Sequence, residues 1–283
     1  MKNNLLTAAF ALIATAGALL STGIGTASAE ARSTGAEYVS IGDSFIGNGS
    51  IARQFTSTGF STCTAEDNVG HLTAALLPGV TFADWSCGGS DTDDITEATD
   101  KGPQIRGLSA KTKFVSVSIG GNDEDFFLDI VTHCLVQVGC TKSFQDNTFA
   151  KLERLPARLD KAYSSIREHA PNAHVVVLGT LRVLPDKADG CFVQTTAGQS
   201  SVDFANRAQR QLNETMARVA ERHGFTAVNV WSDGSRSMCA ADGQRYLSLT
   251  GVGPGDYGIP VHPTLAGRRY TASLIADSFK ASA

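Results

Sequence analysis

Apolar residues fall into short blocks separated by polar and glycine-rich stretches, and the blocks alternate between two periods. Tyr38-Val39-Ser40-Ile41 is an apolar, largely β-branched run that stops at Gly42-Asp43-Ser44, as a buried strand with a tight exit does. A Gly-, Asn- and Thr-rich loop follows to about Asn68. Leu72, Ala75 and Leu76 then share one side of a helix expected from Val69 to Leu77, ended by Pro78-Gly79. Val80 to Trp85 predicts a second strand, closing on the turn Cys87-Gly88-Gly89-Ser90 and an acidic piece, Asp91 to Asp100. Lys113 to Ile119 alternates as a third strand and exits through Gly120-Gly121-Asn122-Asp123; Phe126, Phe127, Ile130 and Val131 suggest a short helix beyond it. Leu152, Leu155, Leu159, Tyr163 and Ile166 recur at helical steps between Phe144 and His169, where Pro156 is expected to kink or break the helix. His174 to Leu178 is almost continuously apolar, as in a parallel strand covered on both faces. Val202 to Arg222 reads as a long helix stopped by Gly224, Phe225 to Val230 as a fifth strand, and Leu265 to Phe279 as the closing helix.

Strands and helices therefore alternate along the chain, with no internal repeat and no interdomain linker. That pattern predicts a single α/β domain, a parallel five-stranded sheet with helices on both faces. Strand exits in such a sheet lie at one edge, where ligands bind.

Composition changes this picture at the amino terminus. Lys2, the apolar run Leu5 to Leu20 and the small-residue site Ala27-Ser28-Ala29 predict a secretory signal peptide over residues 1–29, leaving an exported domain over 30–283. The run is too short and too rich in Gly and Ala for a membrane span, so no stable membrane anchor is expected. A formal charge of −4 argues against a nucleic-acid partner. Cys63, Cys87, Cys134, Cys140, Cys191 and Cys239 are even in number, which in an exported chain predicts three disulfides with their pairing open. They show no zinc-type spacing, and Asp91, Asp93 and Asp94 lack a calcium-loop pattern, so neither a metal nor a cofactor is expected.

The strand exits supply the candidate chemistry. Ser44, Gly89 and Asn122 each follow a strand, and His262-Pro263 lies ahead of the last helix. Singly these fit turns and helix caps. Together they meet the needs of acyl transfer. Serine needs an adjacent base, which His262 would provide. The backbone N–H groups of Ser44 and Gly89 and the amide of Asn122 would receive an oxyanion. Phe45, Ile46, Phe126 and Phe127 flank the site as core or pocket residues, and Asp123 reads as a structural cap. His71, His133, His169, His174 and His223 lack companion motifs and read as structural.

These four blocks, in this order from Tyr38 to Ala276, resemble the SGNH (GDSL-type) hydrolases, and most of all the secreted actinomycete lipases and esterases of that family. The resemblance implies a flavodoxin-like, three-layer α/β/α sandwich. It also implies Ser44 as nucleophile, His262 as general base, Ser44, Gly89 and Asn122 as the oxyanion hole, and disulfides Cys63–Cys87, Cys134–Cys140 and Cys191–Cys239. Two positions depart from the family. Ser90 stands where relatives usually have Ala. Ile259 stands three residues before His262, where many members have Asp. A Ser44–His262 dyad is therefore expected, its ring held by the backbone carbonyl of Ile259 or Pro260, with Asp256 as the alternative partner. The implied function is a secreted, monomeric serine ester hydrolase acting on acylglycerols or phospholipids. Small-ester or carbohydrate O-acetyl hydrolysis is the enzymatic alternative, and a secreted binding protein that keeps the fold is the non-enzymatic one. No amphipathic lid is visible, so little interfacial activation is expected.

Overall fold

Strand β1, Tyr38–Gly42, is buried along its whole length and has a parallel neighbour on either side. In the computed structural model, which describes residues 34–56, 59–136, 140–253 and 256–282, β1 belongs to a five-stranded parallel sheet. The expected signal peptide lies outside the described residues. The other strands are β2 (Phe82–Asp84), β3 (Phe114–Ser118), β4 (His174–Leu178) and β5 (Thr226–Val228), in the order β2-β1-β3-β4-β5.

Register decides what each face packs against. Tyr38 lies opposite Phe114, and Ser40 opposite Ser116. On this face the Tyr38 ring meets Phe82 and Phe279 at 4.9 and 5.3 Å between centroids. The small side chain of Ser40 admits Gly70 of helix α2, Val69–Ala75. Phe279 belongs to the last helix, α6, Leu265–Ser282, which packs beside α2. Val39, Ile41, Val115 and Val117 point the other way and are fully buried. The second helical layer is α4, Lys142–His169, packed on α5, Gly198–Arg222. Between β1 and these helices the chain makes the single turn α1, Ser44–Gly47, and after β3 the short α3, Phe126–Asp129. This is the three-layer α/β/α sandwich that the alternation of periods implied.

Helix α4 runs through Pro156 without a break. One missing backbone hydrogen bond is outweighed by the burial of Leu152, Leu155 and Leu159 on both sides of it. Cys63 is bonded to Cys87 and Cys191 to Cys239. The expected third bridge is a correction: Cys134 and Cys140 are thiols in contact. Cys134 lies fully buried in the π-helical turn Ile130–Val136. Burial and the neighbouring Cys140 push its thiol well above the usual range.

Candidate active site

The exit of β1 is held by backbone geometry and one side chain. Gly42 has φ +126°, and a Cβ there would come within 2.1 Å of the Ser118 carbonyl oxygen, so glycine alone fits. The Asp43 N–H donates to that same oxygen at 2.8 Å. Gln104, fully buried, accepts from the N–H of Gly42 at 2.6 Å and donates from Nε2 to the Gly42 carbonyl at 3.1 Å. Its Nε2 also lies 2.9 Å from Ser90 Oγ. The Ser90 carbonyl in turn accepts from Asn122 Nδ2 at 2.8 Å, which leaves the second N–H of that amide uncommitted. Gln104 thus links the first three strand exits. It carries no local sequence signal, since its partners lie 62 and 14 residues away.

Asp43 caps α1, accepting from the N–H of Phe45 at 2.9 Å. Ser44 opens this turn and is 8% exposed. Among the described residues, neither its N–H nor that of Gly89 donates to a protein acceptor. Gly89 is exposed at the top of its turn, with its carbonyl on Lys101 Nζ at 3.2 Å, and it does not line the cavity described below.

His262 comes from the other side of the sheet edge. With Pro263 it pairs antiparallel to Leu247–Ser248. Val261 before it donates to the Ser248 carbonyl at 2.8 Å and has φ +61°, a strained conformation for a β-branched residue. That turn brings the Pro260 carbonyl to 2.7 Å from His262 Nδ1. A carbonyl only accepts, so in the neutral ring Nδ1 carries the proton and Nε2 is a free base. Of the two expected carbonyls it is Pro260 that meets the ring; that of Ile259 accepts the His262 backbone N–H at 3.3 Å. Burial holds the imidazole below its usual range, partly opposed by the Pro260 hydrogen bond. Asp256 is not at the ring. Its Oδ2 accepts from the N–H of Leu265, and its Oδ1 pairs with Arg268 at 3.2 Å. Arg268 is fully buried and also donates to Asp67 Oδ2 at 3.2 Å, the Asp67 carbonyl at 3.0 Å and the Pro263 carbonyl at 3.0 Å. It fastens the His262 loop to the 67 loop, and nothing in its sequence context marked it.

Ser44, Asn122 and His262 all line one cavity of about 680 Å³. The Ser44 and His262 side chains are not hydrogen-bonded to each other. The rest of the lining is mostly apolar and includes Phe127, Ile130, Val131, Leu135, Val183 and Leu184. Phe45 and Phe127 stack at 5.5 Å inside it, whereas Ile46 and Phe126 belong to the core. Gln209 also lines it, but its amide is spent on Thr180 Oγ1, the Leu181 carbonyl and the Val183 N–H. Among the described lining residues Asp43 is the only carboxyl. Burial pushes it up to about 7, and Asp123, also pushed up by burial to about 6, adds repulsion. The arrangement offers a hydroxyl, an imidazole base and the uncommitted N–H donors of Ser44 and Asn122 at the mouth of an apolar space, the components of acyl transfer, with the free N–H of Gly89 outside the lining.

The family model described as "GDSL-like Lipase/Acylhydrolase family" matches residues 40–270. Lipase 1 of Streptomyces coelicolor is 32% identical over 265 residues, 91% of this chain and 91% of its own length. A lipase of Streptomyces rimosus is 33% identical over 226 residues, 77% of this chain and 80% of its own. Two solved structures share the fold at 28% identity. The extracellular lipase from S. rimosus has a TM-score of 0.66, covering 85% of this chain and 98% of that one. Phospholipase A1 from Streptomyces albidoflavus NA297 has a TM-score of 0.64, covering 86% and 98%.

Proposed function

The chain belongs to the GDSL-like lipase/acylhydrolase family and is a carboxylic ester hydrolase, and on that footing we propose that it cleaves the acyl esters of lipids, acylglycerols or phospholipids, through an acyl-enzyme on Ser44. The observation that carries this reading is that Ser44 and His262 face one largely apolar cavity while Pro260 holds His262 Nδ1, freeing Nε2 to take a proton. Ser44 Oγ bonds to the ester carbonyl carbon, its proton passes to His262 Nε2, and the carbonyl electron pair moves onto oxygen. The N–H groups of Ser44 and Gly89 and the second N–H of Asn122 receive the oxyanion. Re-forming the carbonyl expels the alcohol, which takes the proton from His262. Water, deprotonated by the same nitrogen, then releases the carboxylic acid and restores Ser44.

An apolar cavity of this size favours a long acyl chain over an acetyl group. The leader pattern of residues 1–29 and the two disulfides support action outside the cell. Hydrolysis of p-nitrophenyl esters from two to eighteen carbons tests the reading. The wild type is expected to turn over the longer esters, and Ser44→Ala to lose about 10⁴-fold or more. Preference for acetate with no activity beyond butyrate ends the lipid part; equal inertness of both proteins at every length ends the whole.

A further inference from the structure

We propose that a rigid apolar collar around the mouth of the Ser44 cavity docks the protein on a lipid surface without net charge, so that ester passes from that surface into the cavity. This rests on the lipid-ester reading above and names how the substrate is presented.

Among the described residues six large hydrophobic side chains are exposed: Ile51, Phe55, Leu76, Leu128, Val252 and Tyr257. Four of them, Ile51, Leu128, Val252 and Tyr257, also line the cavity, so they stand at its rim with one side wet. Tyr257 is 63% exposed, and Leu128 and Val252 about half. Scattered single exposures are ordinary; convergence from three chain segments on one opening marks a contact surface.

The collar is braced from beneath rather than hinged. Val252 and Tyr257 face each other across a two-stranded antiparallel ribbon. Ser50, next to Ile51, bridges to Gly258, next to Tyr257. Below them Ser50 N–H donates to Asp67 Oδ1 at 2.9 Å, and Arg268 joins Asp67 to Asp256. Such a surface is ready to dock without a closing segment.

Charge selects the kind of surface. Among the described residues no Lys, Arg or Glu lines the cavity, the exposed Arg53 beside Ile51 is paired with Glu66 at 2.6 Å, and the ionisable lining groups Asp43 and His262 belong to the reactive end. An anionic bilayer would find no lysine or arginine among the described lining residues. A neutral one would bury the apolar side chains, as interfacial segments do, with little dependence on salt.

The test is flotation with phosphatidylcholine vesicles, using full-length mature Ser44→Ala so that lipid is not consumed. Binding is expected and is expected to persist from low to high salt. Adding Leu128→Ser and Tyr257→Ser should cut it about tenfold or more, because each exchange removes apolar area from the contact. Leu76→Ser, outside the collar, should leave it unchanged. No flotation, equal flotation of the collar variant, or binding confined to anionic phosphatidylglycerol and lost in salt overturns the proposal. So does a concentration-dependent dimer in sedimentation that the collar variant abolishes, since the collar would then seat a second copy. Wild-type hydrolysis of a dissolved short ester separates the two readings. Hydrolysis without flotation removes the docking and leaves the esterase. Flotation with no hydrolysis of any ester leaves a lipid-docking surface and removes the catalytic reading.

Discussion

At the scale of single residues, the departure at Ile259 is met by backbone rather than by a substitute acid. Pro260 supplies the acceptor, and Asp256 acts on the loop through Arg268 and the N–H of Leu265. If Asp256 oriented the ring directly, Asp256→Asn would cost about 10⁴-fold in kcat. The expected result is a loss below about tenfold, together with a clear fall in Tm, because a buried guanidinium keeps only Asp67 of its two carboxylate partners. The pH profile gives a second reading of the same ring. His262 acts as a base only when neutral, so activity falls as pH drops through its titration. Burial lowers that titration, so the acid limb of kcat/KM should lie below the ordinary imidazole value of 6.5. A limb above that value would rule out the buried ring as the base.

At the scale of elements, Gln104 bridges the first two strand exits at Gly42 and Ser90, and Ser90 passes the link to Asn122 at the third. Gln104→Ala frees the Gly42 backbone groups and loosens Ser90, and through Ser90 it loosens Asn122. A fall in kcat of about 10²-fold with little change in KM is expected, since an oxyanion donor is felt mainly in the transition state. A change confined to Tm would make Gln104 a packing residue only. Elements also carried the two expectations that changed. Pro156 is expected to kink or break the helix, and α4 does not break there, because the buried leucines around it hold it together. Cys134 and Cys140 count as a pair on the sequence, yet remain thiols around a π-helical turn. Alkylation after denaturation without reductant should therefore label two cysteines per chain. Zero labels would show that all three bridges close.

At the scale of the whole molecule, two buried carboxyls contribute to the pH dependence of stability. Asp43 and Asp123 are raised in the folded protein, to about 7 and about 6, from 3.8. Each of these two groups therefore holds its proton longer in the folded state, and its contribution to stability falls as pH rises from about 4 towards 7, by an order of a few kcal/mol for Asp43, against the opposite contribution of the lowered His262 and His174. Asp43→Asn keeps the cap of α1 and removes that titration, so denaturant unfolding at pH 5 and pH 8 should differ less than in the wild type. An unchanged difference would show that Asp43 is ionised when folded. The fold itself was legible in the chain. The layers follow from periods of two and 3.6, because burial of one strand face or one helix stripe is a local property of sequence. That Ser44, Asn122 and His262 could meet was legible as well, since strand exits of a parallel sheet share one edge, and the three line one cavity. Tertiary structure alone decided that Pro260, and neither Ile259 nor Asp256, meets the ring. It also decided that Gln104 and Arg268 tie the site together and that Ile51, Leu128, Val252 and Tyr257 form one rim. The physical reason is common to all three. A side-chain amide, a buried guanidinium or a lone exposed hydrophobe has no periodicity of its own. Its partners lie tens to hundreds of residues away, and its role exists only once the chain has brought them within hydrogen-bond or van der Waals reach.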